Sequence, residues 1–570
     1  MQRFVISLLL TCWASTASIG QATLPPDIVE SIERRIAYGI NPSIAIGLID
    51  EYGSHFFMFG SKTPGGEAVD KHTIYEIGSI TKTFTAALLM HLVEQGIVRL
   101  DDPVSMHLPK EVRVPQRNGQ AMTLAQLSDH TSGLPRMPGN FTPANPLNPY
   151  ADYTVQQMYD FVSGHNLRRD PGAEYEYSNL AQGLLGHILE LKTGKSYEQL
   201  MIDAIADPLG MAETRITLTD RMRNNLALPH SNGRQVENWD IPALAGAGAI
   251  RSSVHDMLIY LGAQLGLIET PLHSAMAATQ QTRHNKRGDV RVGLGWHILE
   301  GSEGDIITHT GGTGGYLTFA GFVRETKKGV VVFTNSTSAA GDIGLRMLDP
   351  AAELSPVKRP VTTMLRTLID ENGTEEAVQA VKDVWANERD NYHFDEMEIN
   401  SLGYSYLGAR QLQEALAVFK LNTELYPDAF NTYDSYGEAL LEDGQTELAI
   451  ENYRKSVELN PGNTGGIDVL KKLGVEVEVA DADVPAEILE RHVGVYTLMP
   501  GFDIEVTRQG TQLSIQATGQ PRVEIYPTTE VDYYLKVVNA QIRFNRDPDG
   551  KTASLTLFQG GQELTGERKQ

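Results

Sequence analysis

The chain has 570 residues, 41% of them hydrophobic, which is ample for packed cores and on length implies roughly three or four domains. Its 48 Lys and Arg face 72 Asp and Glu, a net charge of −24 that argues against nucleic acid and anionic membranes as partners. The single cysteine excludes a disulfide framework.

Residues 1–22 read as an export signal. Arg3 is the positive start, Phe4–Leu10 an apolar stretch too short to span a bilayer, and Gly20-Gln21-Ala22 a small-residue cleavage site. Cys12 lies inside this segment, so the mature chain has no thiol and no cysteine metal ligand. Thr11 and Trp13 on either side of Cys12 speak against a lipid anchor there. No later run is long enough for a transmembrane helix, so a periplasmic or secreted protein is expected.

A short helix with Ile28, Ile32 and Ile36 on one face leads into a hairpin, Ser43–Ile49 and His55–Phe59, turning at Tyr52-Gly53. Then comes Tyr75-Glu76-Ile77-Gly78-Ser79-Ile80-Thr81-Lys82, an apolar approach to a serine at a helix mouth. The helix runs through Phe84, Ala87, Leu88, His91 and Leu92 and stops at Gly96. Three residues apart on a helix, Ser79 and Lys82 share one face and can touch. A desolvated amine can serve as base for a hydroxyl, and first-turn N–H groups favour negative charge developing there. A second Ser-x-x-Lys, Ser355-Pro356-Val357-Lys358, lies in a Pro-bearing polar stretch and reads as linker.

Residues 101–175 are rich in turns. His130, beside Thr131-Ser132-Gly133, reads as structural. Asp170-Pro171-Gly172 turns the chain into Tyr175-Glu176-Tyr177-Ser178-Asn179. The helix that follows, with Leu180, Leu184, Ile188 and Leu191 inward, ends at Gly194. Tyr177 and Asn179 therefore sit on a loop held by a rigid element, with Ser178 or Asn179 as its cap. Gly246–Ile250 and Val292–Trp296 read as close backbone contacts in strands or turns. Ile306–Gly312 reads as a strand ending in glycines, and Tyr316–Val323 with Val330–Thr334 as a hairpin. Strands at both ends with helices between predict an α/β layout whose terminal strands share one mostly antiparallel sheet.

In their order and context, Ser79-x-x-Lys82, Tyr177-x-Asn179 and His309-Thr310-Gly311 resemble the three motifs of the penicillin-recognising serine hydrolases. The branch is that of class C β-lactamases, D-Ala-D-Ala carboxypeptidases and related esterases, and the likeness covers about residues 25–345. Lys192-Thr193-Gly194 spells the third motif of a β-lactamase literally, but it falls at a helix end and is rejected. The resemblance implies that Ser79 becomes acylated while Lys82 and Tyr177 share the proton transfers. It implies that Asn179 holds a substrate amide and Lys82, and that His309, Thr310 and Gly311 line the opposite wall, where His309 and Thr310 meet a substrate carboxylate or polar tail. The oxyanion hole would be the N–H groups of Ser79 and Gly312, and no metal or organic cofactor would be needed. Class C β-lactamases carry Lys where this chain has His309. An imidazole, with an ordinary pKa near 6.5, would be only partly charged at neutral pH. Hydrolysis of a small peptide amide or ester is therefore expected over β-lactam hydrolysis. A true class C-type β-lactamase, and a non-catalytic peptidoglycan- or peptide-binding protein using its helical repeats, are the alternatives.

Gly403, Ala415, Phe419 and Pro427 recur as Gly437, Ala449, Tyr453 and Pro461 at a period of 34 residues, which resembles tetratricopeptide (TPR) repeats. Glu375–Asn387 is expected as an extra capping helix. The repeats read equally as a groove for a peptide or protein partner and as a rigid spacer. Seven short strands between Gly494 and Phe558 suggest a small antiparallel barrel. Its opening, Arg491-His492-Val493-Gly494-Val495-Tyr496, resembles a lipocalin-like domain expected to cover or shape the site opening. The expected organisation is a signal at 1–22, the hydrolase domain at 23–350, a linker at 351–370, the helical domain at 371–475 and the barrel at 483–570.

Overall fold

Both faces of the hairpin strand Ser43–Asp50 are apolar: Ile44 and Ile46 point one way, Ala45 and Ile49 the other, and all four are buried. A strand of that kind must be covered on both sides. In the computed structural model it lies inside an eight-stranded antiparallel sheet. The order is Gly53–Gly60, Ser43–Asp50, Lys328–Thr334, Leu317–Val323, Gly304–Gly312, His297–Gly301, Val290–Val292 and His284–Arg287. The expected union of the terminal strands is thus present, with Ile44 opposite Thr334. The structure describes residues 22–570 except 232, 288, 289, 477–481, 500, 501, 539, 548, 549, 560, 561 and 570. The expected export signal, Cys12 included, falls outside the described residues apart from Ala22. Among those residues no helix is long and apolar enough to cross a membrane.

The chain forms two units, one ending at Val357 and the other starting at Lys358. In the first, Ile28 and Ile32 of helix Pro26–Ala37 and Ile343 of helix Gly341–Leu348 pack on one face of the sheet with Ile44, Ile46, Phe319 and Val332. The opposite face holds the larger core. Phe84 and Leu88 of helix Thr81–Glu94 belong to it, as do Leu258 and Leu261 of helix Val254–Leu265. The Phe84 and Tyr260 rings stack at 4.0 Å. Leu191, expected inward, is 44% exposed, because the last turn of helix Asn179–Thr193 runs past the core before Gly194 caps it in the left-handed region. Ala245–Gly248 is a short helix rather than a strand or turn.

The second unit opens with helix Val361–Asn372, in the stretch expected as linker; Val361, Leu365 and Ile369 join the helical core. Helix Thr374–Asn387 follows, then the pairs Glu396–Gly408 with Leu412–Leu425 and Phe430–Glu442 with Thr446–Leu459. The 34-residue spacing has a packing cause. A Cβ on Gly403 would lie 2.5 Å from the Phe419 ring, and one on Gly437 would lie 2.9 Å from the Tyr453 ring. Each glycine leaves room for the aromatic of its partner helix. Last comes a closed eight-stranded antiparallel barrel. Its final strand, Gln562–Arg568, was not among the seven expected. It pairs with both Thr552–Gln559 and Gly494–Met499 to close the barrel. His492 is a core residue here, stacked on Phe544 at 4.1 Å, with one ring nitrogen 2.8 Å from Thr552 Oγ1 and the other 2.8 Å from the Glu530 carbonyl.

Candidate active site

Ser79 lies on a 3-10 turn, Gly78–Ile80, that runs straight into helix Thr81–Glu94. The turn begins with Gly78 at φ +50°, a left-handed conformation that side chains resist. A Cβ at Gly78 would also sit 2.7 Å from the Gly312 amide nitrogen. One on Gly311 would run into the Ile77 carbonyl, which accepts a hydrogen bond from Thr318 Oγ1 at 3.0 Å. Bare backbone at Gly78 and Gly311 lets the end of strand Gly304–Gly312 lie against the Ser79 turn. On one side that strand pairs with His297–Gly301 only as far as Thr308; on the other it stays paired with Leu317–Val323 through Gly312. Residues 309–312 therefore keep one open edge, and Thr310 and Gly312 are exposed.

Lys82 is fully buried. Its Nζ lies 2.8 Å from Ser79 Oγ and donates to the Ala247 carbonyl at 2.6 Å. That carbonyl comes so near because Gly186 and Gly246 let two helices touch: a Cβ on Gly186 would be 2.9 Å from the Gly246 Cα. Burial holds the Lys82 ammonium well below the ordinary lysine range, and the charge of Arg136 pushes it the same way. The shift favours the neutral amine, the form with a lone pair to offer a hydroxyl.

The Tyr177 hydroxyl lies near enough to Ser79 for the serine to pull its pKa down. Burial pushes its pKa up to about 12, outweighing the nearby Ser79, which acts the other way. At neutral pH the phenol therefore keeps its proton. Lys82 Nζ and the Arg136 guanidinium lie 4.9 Å and 5.1 Å from the centre of its ring. His130 braces this loop, in line with its structural reading. It adopts φ +63°, its Nδ1 accepts from the Ser178 amide at 3.1 Å, and its ring lies 4.6 Å from that of Tyr177. Ser178 is the helix cap, accepting from the Ala181 amide at 2.9 Å.

His309 faces Tyr177 across the site at 6.2 Å between ring centres and stacks on His297 at 5.1 Å. The expectation of a partly charged imidazole is corrected. His309 is 3% exposed, and burial, then His297 and Lys82, hold its pKa well below the ordinary value. Its Nδ1 is 2.6 Å from the Thr310 carbonyl, so Nδ1 holds the proton and Nε2, buried and without a partner, is an acceptor. The expected bond from Lys82 to Asn179 is absent as well. Asn179 Oδ1 has no hydrogen-bond partner, and its Nδ2 faces Met137 Sδ at 3.7 Å. The rejected Lys192-Thr193-Gly194 is a helix C-terminus, with Gly194 at φ +69°. Arg136 is the residue that sequence reasoning missed. It sits in a long turn-rich segment with no motif around it, and only the fold brings its charge over Tyr177.

Residues 32–349, more than half of the chain, match the family described as Beta-lactamase. The chain belongs to that family. Family membership makes it a serine hydrolase of the penicillin-recognising type. Among the family's curated proteins, the D-alanyl-D-alanine-carboxypeptidase/endopeptidase AmpH of Escherichia coli (strain K12) is 30% identical over 359 residues, covering 59% of this chain and 92% of that protein. A "Beta-lactamase" of the same organism is 25% identical, covering 56% and 92%. Among solved structures, a family member described as Beta-lactamase/D-alanine Carboxypeptidase from Yersinia pestis complexed with citrate is 27% identical with a TM-score of 0.50, covering 56% of this chain and 95% of its own. A class C beta-lactamase at 20% identity and a TM-score of 0.52 shares the fold, covering 60% and 99%. Residues 480–568 match a separate domain of unknown function, DUF3471, which coincides with the barrel.

Proposed function

We propose that this family member is an exported hydrolase that forms an acyl-enzyme on Ser79 and cleaves small peptide amides of the D-Ala type, or small esters. The observation that carries the proposal is the buried Lys82 amine 2.8 Å from Ser79 Oγ, with the Tyr177 ring centre 4.9 Å from the same amine. In this reading Lys82 takes the serine proton. Tyr177, protonated up to about 12, relays that proton to the leaving group rather than acting as a tyrosinate. The Ser79 and Gly312 amides receive the oxyanion. Asn179 Oδ1, which lacks a partner, is an acceptor for a substrate amide N–H. Thr310 and Gly311 line the open strand edge.

Two observations favour a peptide or ester over a β-lactam. Neutral His309 offers no cation where a class C β-lactamase has Lys, and the 30% identical relative is named a carboxypeptidase/endopeptidase. Rates on a D-Ala-D-Ala peptide, a short p-nitrophenyl ester and a cephalosporin test this. The peptide or the ester should turn over fastest. Fastest turnover of the cephalosporin would make the chain a β-lactamase, and turnover of none would leave the binding-protein alternative.

The Gly403–Phe419 and Gly437–Tyr453 contacts, one period apart, support reading the helical pairs as tetratricopeptide repeats. The closed barrel, with His492 in its core, is compatible with the lipocalin-like reading.

A further inference from the structure

His72, Glu213 and His255 come together outside the Ser79 site. Each offers one ligand atom, and the three atoms lie within 4.8 Å of one another. His72 Nδ1 is 3.0 Å from Glu213 Oε2. Two ligands bound to zinc at about 2.1 Å in tetrahedral geometry stand about 3.4 Å apart, so an ion could enter after small shifts.

The surroundings are those of a supported site. His255 Nδ1 is held 3.1 Å from Asp256 Oδ1, which leaves Nε2 to coordinate and supplies the carboxylate–histidine support that metal-bound histidines use. Asp256 Oδ2 in turn accepts from the Glu213 amide at 2.7 Å and Thr214 Oγ1 at 3.0 Å. Glu213 is 6% exposed, with Ser253 Oγ donating to Oε2 at 2.8 Å and Arg221 to Oε1 at 2.8 Å. His72 and His255 are each about one-third exposed, so an ion has a path in from solvent.

We propose that these three residues bind one divalent cation of the zinc class, with imidazole, imidazole and carboxylate as protein ligands and water completing the shell. The ion fastens the ladder that holds the catalytic turn. His72 precedes strand Ile74–Glu76, and His255 follows its partner strand Arg251–Ser253, with Ile74 opposite Ser253. The far end of the same ladder passes into the Ile77 amide to Ile250 carbonyl bond, next to Ser79. The ion takes no part in the reaction. Its loss loosens the ladder.

The full chain, stripped with chelator, should bind one equivalent of Zn²⁺ by calorimetry, and Co²⁺ should give visible absorption of a four-coordinate ion. Binding should raise the melting temperature and slow amide exchange across residues 74–76 and 251–253. His255→Gln should weaken affinity at least about tenfold, and Asp256→Asn about tenfold through the supporting bond, with both variants still folded. Absence of saturable one-to-one binding would overturn the proposal. So would equal affinity in wild type and His255→Gln, which would assign the ion to another place.

Discussion

Replacing Lys82 with methionine should lower kcat/KM for acylation of Ser79 about 10³-fold, within the usual range for removing a general base. Methionine is of similar length and apolar, so it suits a fully buried position. The Ala247 carbonyl loses its donor, at a cost of about 1–3 kcal/mol, partly offset because no amine has to be desolvated. Lys82→Arg should be as inactive, since a guanidinium stays charged and supplies no lone pair. The pH dependence has a definite sign. The ammonium form of Lys82 cannot accept the serine proton, so the rate rises with pH as the amine is freed. Because burial and Arg136 depress this group, the rise should be complete well below the ordinary lysine value of about 10.4. Arg136→Gln removes a repelling charge and should move the limb to higher pH, lowering the rate near neutrality. A kcat/KM profile for wild type and the three variants checks this; an unmoved limb in Arg136→Gln would exclude the coupling.

Gly78→Ala should cut kcat about 10²–10³-fold with little change in KM, the size expected when an oxyanion donor is displaced. The new methyl would meet the Gly312 nitrogen at 2.7 Å, and the φ of +50° adds backbone strain. The easiest relief is for the Gly312 strand end to move away from Ser79, and that movement costs the transition state more than the bound substrate. Steady-state kinetics beside a thermal melt separates this from simple unfolding. A variant with wild-type kcat would show that the Gly312 amide is not part of the hole.

The meeting of Ser79 and Lys82 was legible because three residues on one helical turn are neighbours whatever the rest of the fold does. Strand Gly304–Gly312 and its hairpin were legible from apolar runs punctuated by glycine. The charge state of His309 was not: it depends on burial and on His297, which arrives from another strand. Arg136 escaped for a similar reason, lying in a segment without periodicity. Helix Ala245–Gly248 is built of Ala and Gly, which show no apolar face to read. The barrel's closing strand, Gln562–Arg568, has Leu564 as its one large apolar residue, so no alternation marks it. Helix Val361–Asn372 did carry a period, Val361, Leu365 and Ile369, but the Pro-bearing stretch before it concealed the start.

The most direct measurement is peptide mapping by mass spectrometry after brief exposure to a fluorescent penicillin or a p-nitrophenyl ester. The account predicts one acyl adduct per chain, on the peptide containing Ser79, absent from Ser79→Ala. An adduct on another residue, or equal labelling of the Ser79→Ala chain, would contradict it.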